Sequence, residues 1–182
     1  MWWNILTNLQ YKNRGIMKLR PLQIKDAEGM LEWMHNPDIA KNFRFNTSGQ
    51  TLDKVKNFIE NSFDEETKHY AVANENDEYL GTISLKAINR EDKTAEYAIS
   101  MRACAIGTGA AAIATRELLK KAFYEMELNR VYLNVLSDNV RAQKFYEKMG
   151  FTYEGEFKQH ICKNGEFKDL KWYAILKENF EV

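Results

Sequence analysis

A chain of 182 residues, 45% hydrophobic and 29% charged, is long enough for one folded domain with a sizeable core. Lys plus Arg at 26 balance Asp plus Glu at 26, so no overall basic field marks the chain for nucleic acid. Cys104 and Cys162 form no CxxC pair, which excludes a disulfide framework and a zinc ribbon and makes a reducing, cytoplasmic compartment the default. No stretch approaches the ~18 consecutive apolar residues of a membrane span.

The leader Met1 to Gln10 leans apolar but is interrupted by Asn, Thr and Gln, and it lacks a basic start and a small-residue cleavage site. Residues 1–16 therefore read as an extension and 17–182 as the domain. Met17 to Leu22 is a short strand closed by Pro21. Lys25-Asp26-Ala27-Glu28 opens a helix with acids in its first turn; Met30, Leu31, Trp33 and Met34 form its apolar face, and Asn36-Pro37 ends it. Thr51 starts another helix, with Val55, Phe58 and Ile59 at helical spacing.

From His69 the period shortens to that of strands: His69 to Ala73, Tyr79 to Leu85 and Thr94 to Met101, separated by polar turns. After Gly109 a helical stripe runs through Leu118, Leu119, Ala122, Phe123 and Met126. Val131 to Leu136 is again strand-like. Asp138-Asn139 caps a helix from Val140 to Met149, with Gly150 as its stop. Tyr153 to Ile161 and Phe167 to Leu176 form a hairpin around Asn164-Gly165, the strongest short hairpin signal. The order β-α-α-β-β-β-α-β-α-β-β predicts an α/β (α+β) domain. Its sheet is mixed and mostly antiparallel, of about six or seven strands, with helices on both faces and one right-handed β-α-β crossover.

One stretch organises this order. Glu96 to Met101 is a strand that passes through Cys104-Ala105-Ile106-Gly107-Thr108-Gly109 into a helix beginning at Ala110. A helix start offers unpaired N–H groups and a positive dipole end, and glycines let the backbone close on an anion. No Lys-Ser or Lys-Thr follows Gly109, which excludes a P-loop, and the third glycine of a dinucleotide fingerprint is missing. Two readings remain open here: a pyrophosphate held by backbone amides, as in coenzyme A, or a plain strand-to-helix turn.

A second constellation decides between them. Asn139, Ala142 and the run Phe145-Tyr146-Glu147-Lys148-Met149-Gly150-Phe151 resemble the C-terminal helix motif of the GNAT superfamily of acetyl-CoA-dependent N-acetyltransferases. Leu19-Arg20-Pro21-Leu22, Gly81 to Leu85 and Thr94 to Tyr97 resemble that family's first, third and fourth strands. Tyr153-Glu154-Gly155-Glu156 and Gly165 to Asp169 are similar to the branch that acetylates ribosomal-protein N-termini.

The resemblance implies a GNAT-like fold and acetyl-CoA as co-substrate. It places the coenzyme against Ile99, Ser100, Met101, Cys104, Ala105, Ile106, Gly107, Thr108, Gly109, Ala110, Asn134, Asn139 and Tyr146. A backbone N–H within 99–101 would serve the oxyanion. Cys104 and Ile106 depart from the family pattern, standing where Gln or Arg and a basic residue are usual; nothing near Cys104 activates it, so it reads as a small buried filler.

The resemblance further implies Tyr146 as general acid and Glu96 as a base acting through water. Core packing beside Phe145 and a salt-bridged strand carboxylate are the ordinary alternatives. Trp33 and His35 fall where this fold shapes its acceptor site, although core packing explains Trp33 equally well. His35, His69 and His160 share no metal-ligand spacing, so no metal is expected. The acceptor is a primary amine, either a protein N-terminus or a small molecule such as an amino sugar or its nucleotide. The competing function is a catalytically weak acyl-CoA-binding module of the same fold. Neither nucleic acid nor membrane is an expected partner, and a homodimer is compatible with the fold.

Overall fold

In the computed structural model, which describes residues 17–181, the expected strands join into one seven-stranded sheet. The extension assigned to residues 1–16 lies outside the described residues. The strands are β1 (Lys18–Pro21), β2 (Lys68–Ala73), β3 (Tyr79–Asn89), β4 (Thr94–Met101), β5 (Arg130–Leu136), β6 (Thr152–Lys163) and β7 (Glu166–Leu176). Across the sheet their order is β1-β2-β3-β4-β5-β7-β6, and β4–β5 is the parallel pair in an otherwise antiparallel array. The helices are α1 (Ala27–His35), α2 (Pro37–Ala40), α3 (Leu52–Glu60), α4 (Ala110–Lys120) and α5 (Val140–Lys148). Fold class and the number of strands match the reading from sequence, and α2 is one short helix beyond the expected element order. None of these helices is long and apolar enough to cross a membrane.

Alternation along β2 shows why the sheet is covered twice. Tyr70 and Val72 face a core built with Leu118, Leu119 and Phe123 from α4 and the turn that follows it. Ala71 faces the other side, where Met30 and Trp33 of α1 and Val55 and Ile59 of α3 pack. A strand buried on both faces cannot alternate apolar with polar, so β2 reads as a continuous apolar run. The larger core also takes Leu133, Val135, Tyr146 and Phe151, which brings α5 onto the same face as α4.

Local chemistry sets the turns. Asn164 and Gly165 adopt φ of 52° and 83°, the doubly left-handed geometry of the two-residue hairpin joining β6 to β7. The Asn139 side chain accepts from Ala142 N at 3.2 Å and caps α5, and Gly150 follows the helix at φ 93°. The helix expected to run evenly to Met126 instead widens into a π turn over Lys121–Glu125. That turn still delivers Ala122 and Phe123 fully into the core. Periodicity alone does not distinguish the two windings across one turn.

One buried ion pair ties the first strand to α1. Arg20 donates to both carboxylate oxygens of Asp26, at 2.7 and 2.8 Å, and Asp26 also accepts from Gln23 N at 2.8 Å. The Asp26 side chain is 1% exposed, and removing it leaves the Arg20 charge nearly enclosed. Asp26→Ala should lower unfolding stability by about 3 kcal/mol, measured by urea denaturation. Little or no change would show that Asp77, which also pairs with Arg20, suffices for the guanidinium.

His69 adds a pH-dependent term. Burial, with Lys86 nearby, lowers its pKa from 6.5 to about 4, while its ring packs on Phe58 at 4.7 Å and meets Ser84 Oγ at 2.6 Å. The unfolded chain therefore binds the proton first. Stability contributed by neutral His69 is complete above pH 6.5 and is lost as pH falls towards about 4. Melting curves across that window should show a loss of about 2 kcal/mol in the wild type that His69→Gln flattens.

Candidate active site

The sheet opens where its parallel strands meet. β4 and β5 pair at Thr94–Arg130, Ala95–Val131 and Glu96–Tyr132, and nowhere further along. Beyond Glu96, β4 stays on β3 as far as Met101–Gly81, while β5 stays on β7 as far as Leu136–Leu170. A wedge results, each of its sides held rigid from outside, with main-chain groups on both inner edges lacking a strand partner. Gly81 keeps β4 on its own side. A Cβ there would lie 2.4 Å from Ser100 O and 2.6 Å from Met101 Sδ, forcing the strand end to shift. Ile99, Ser100 and Met101, the expected oxyanion and coenzyme contacts, lie half-buried along this part of β4.

The chain then leaves β4 through a 3₁₀ turn, Ala103–Ala105, and enters α4 at Ala110. Gly107 and Gly109 take φ of 83° and 90°, a region from which side chains are nearly excluded. Thr108 Oγ1 donates to Ala105 O at 2.8 Å and accepts from Ala110 N at 3.3 Å, which holds the loop in shape. The N–H groups of Gly107, Gly109 and Ala111 find no acceptor among the described residues. With the α4 dipole behind them they form a backbone anion cradle that fits a pyrophosphate. Ala105 and Ala110 are buried beneath the loop, while Ile106 is 40% exposed. Cys104 corrects the reading from sequence: it is exposed, not a buried filler, because the 3₁₀ turn carries it out of the sheet plane.

Tyr146 of α5 approaches the wedge from the helical face. Its ring stands edge-on to Tyr97, the first β4 residue beyond the last β4–β5 pair, with centroids 6.0 Å apart. Phe151 and Tyr173 complete its surroundings, and burial alone pushes its hydroxyl up to about 12. Tyr97 itself bonds Thr115 Oγ1 at 2.8 Å, which locks β4 to α4. Asn139, half-buried, is occupied as the cap of α5. Asn134 lies on β5 inside the wedge, and both its side-chain Nδ2 and Oδ1 are buried without a partner. Such orphans are rare in folded proteins and suit a site completed by a ligand.

Glu96 lies on the opposite face from Tyr97, as strand alternation requires. Its carboxylate sits 3.0 Å from Lys86 Nζ and 3.7 Å from Arg44 Nη2. Tyr146 and Glu96 therefore flank the throat of the wedge from two sides of the sheet. Trp33 is placed in the core: it is 4% exposed, donates to Tyr79 Oη at 3.0 Å and stacks on Phe43 at 4.9 Å. Packing accounts for it. His35 is exposed at the end of α1, with Nε2 3.0 Å from Gln50 O.

Several residues at the site were not singled out from sequence. Trp172 of β7 pairs with Asn134 across the strands, and its Nε1 is likewise buried without a partner. The alternation of β7 marks Trp172 as sharing a face with Leu170 and Ala174, but only the register sets it beside Asn134. Arg102 bonds Glu32 and donates to Tyr79 O at 3.1 Å, pinning α1 to the exit of β4. Among the described residues no cluster of three or more His, Cys, Asp or Glu side chains is placed to hold a metal ion.

Comparison with known proteins adds the family. The profile described as "Acetyltransferase (GNAT) domain" matches residues 17–152. A spermidine N(1)-acetyltransferase of Vibrio cholerae is 25% identical over 156 residues, covering 84% of this chain and 90% of that protein. A Bacillus subtilis protein named for ribosomal N-acetylation, YdaF, is 33% identical over 101 residues, 56% of this chain and 55% of its own length. The crystal structure of the Vibrio cholerae spermidine N-acetyltransferase with CoA and spermine superimposes with a TM-score of 0.81 at 24% identity, covering 90% and 96% of the two chains. The match to the family profile spans most of the domain, wedge, glycine loop and α5 included: the chain belongs to the GNAT acetyltransferase family and is an acetyl-CoA-dependent N-acetyltransferase.

Proposed function

We propose that the chain transfers the acetyl group of acetyl-CoA directly to a primary amine presented on the Glu96 face of the wedge. The observation that carries this reading is the parting of β4 and β5 at Glu96–Tyr132, with Tyr146 buried against the first residue beyond it. Acetyl-CoA supplies the activated acyl group as a thioester. The amides of Gly107, Gly109 and Ala111 would hold its pyrophosphate, and the inner edges of β4 and β5 would hold the amide-bearing arm. A β4 N–H within 99–101 donates to the carbonyl oxygen as charge develops there, and its rigid strand needs no reorganisation to do so.

Proton handling divides between the faces. The amine must shed a proton as its nitrogen bonds the acyl carbon, and Glu96 is the carboxylate available to take it, directly or through water. Lys86 and Arg44 hold that carboxylate in place. Tyr146 retains its proton up to about pH 12. A phenol that weak is a poorer acid than a thiol near ~8.5, so Tyr146 serves by hydrogen-bonding the departing sulfur rather than by surrendering its proton completely.

Free thiol release from acetyl-CoA with an amine panel tests the reading. Tyr146→Phe should lower kcat on the order of 10²-fold with coenzyme affinity little changed, because the ring packing survives. Glu96→Gln should lower kcat most below neutral pH, where the amine is most protonated. Wild-type kcat/KM should show no descending limb from Tyr146 below about pH 12. Coenzyme binding without transfer to any amine would overturn catalysis and leave an acyl-CoA-binding module.

A further inference from the structure

The face of the wedge away from α4 and α5 has a chemistry of its own, and the inference drawn from it rests on the acyl-transfer reading above. Strand register sets Glu96 beside Tyr132, and Asn134 beside Trp172. Around Trp172 lie Tyr132 at 6.0 Å and Phe157 at 5.3 Å, with Phe157 half exposed. The result is an aromatic floor leading away from the throat. On this floor three polar atoms of one cross-strand pair are buried and unpaired: Asn134 Nδ2, Asn134 Oδ1 and Trp172 Nε1. They comprise donors and an acceptor together, so a ligand that satisfies them must both accept and donate.

Charge narrows the choice. Lys86 and Arg44 both sit on the single carboxylate of Glu96. Lys163, at the end of the β6–β7 hairpin, donates to Lys41 O and Phe43 O at 2.7 Å each and to Ala40 O at 3.3 Å. Those bonds fasten the segment leading to Arg44 across to the hairpin. Lys168, on the same face of β7 as Trp172, pairs with Glu166 at 2.7 Å. The bordering cations Lys86, Arg44, Lys163 and Lys168 outnumber the carboxylates Glu96, Glu166 and Asp138, the last of which acts on both Lys163 and Lys168. A polyamine brings several positive charges and no acceptor groups, so it would be repelled here and would leave Asn134 Oδ1 its only satisfied partner. A phosphorylated sugar ring is the complementary case. Its hydroxyls both donate and accept, its apolar face suits an indole, and its anion suits Arg44 and Lys86.

We infer that the acceptor is a primary amine on a sugar ring carrying a phosphate, either as a free sugar phosphate or within a nucleotide conjugate. The spermidine acetyltransferases among its relatives would then share fold and donor with this chain but not the acceptor.

Thiol release should be followed with glucosamine, glucosamine 1-phosphate, UDP-glucosamine, spermidine and an N-terminal peptide as separate acceptors. Calorimetry of each acceptor should be run alongside, without coenzyme. The phosphorylated sugars should exceed unmodified glucosamine in kcat/KM by about tenfold or more, and spermidine should be the poorest. Preference for glucosamine 1-phosphate or for UDP-glucosamine identifies the source. Arg44→Gln should cut kcat/KM for the phosphorylated sugars more than for glucosamine, so that the phosphate advantage falls to about twofold or less. Trp172→Ala should weaken sugar binding by calorimetry. Preference for spermidine or peptide, with transfer intact, overturns the inference and spares the acyl-transfer reading. Binding of the phosphorylated sugars without transfer of acetyl to any acceptor does the reverse. Neither binding nor transfer overturns both.

Discussion

The structure turns on hydrogen bonds that β4 and β5 do not make. Interior strands of a sheet normally pair on both edges, because a buried main-chain group without a partner is costly. Here the parallel pairing stops at Glu96–Tyr132, and each strand keeps only its outer neighbour thereafter. The outer pairings, β3 on one side and β7 on the other, prevent collapse of the wedge. Gly81 contributes by letting β3 and β4 approach without pushing Met101 inwards. The unsatisfied edges are what a bound acyl chain with amide groups can complete.

The sheet also keeps two environments apart. On the helical face, α4 and α5 bury Tyr146 among Tyr97, Phe151 and Tyr173, and the low polarity there drives its hydroxyl upwards. On the other face Glu96 stands among cations, with polar and aromatic side chains around it. Tyr146 and Glu96 thus lie in opposite surroundings. Strand alternation supplies them from adjacent positions, since Glu96 and Tyr97 are neighbours in sequence but face opposite layers.

The supports of the site lie elsewhere in the fold. Arg20 and Asp26 hold α1 against β1, Arg102 holds α1 to the end of β4, and Thr115 holds α4 to Tyr97. The strand exit, the glycine loop and the helix start are thus fastened separately to the body of the domain. Lys163 performs the same service for the hairpin that carries the aromatic floor.

Features that depend on a few consecutive residues were legible in the sequence. The Asn164-Gly165 turn, the Asn139 cap, the glycine loop before α4 and the order of strands and helices each follow from local backbone preferences. The motif from Asn139 to Phe151 added the family and placed Tyr146. Cys104 was misplaced because one 3₁₀ turn after a strand decides between burial and exposure, and no periodicity reports it. The pairing of Glu96 with Lys86 and Arg44, the burial of Trp33 under Phe43, and the meeting of Asn134 with Trp172 join residues from 10 to 52 positions apart. Such contacts are set by strand register and helix docking. The sequence by itself determined what the elements are and which chemistry they carry. Only the tertiary structure decided where the sheet parts and which side chains share its two faces, because both are properties of pairing between distant segments.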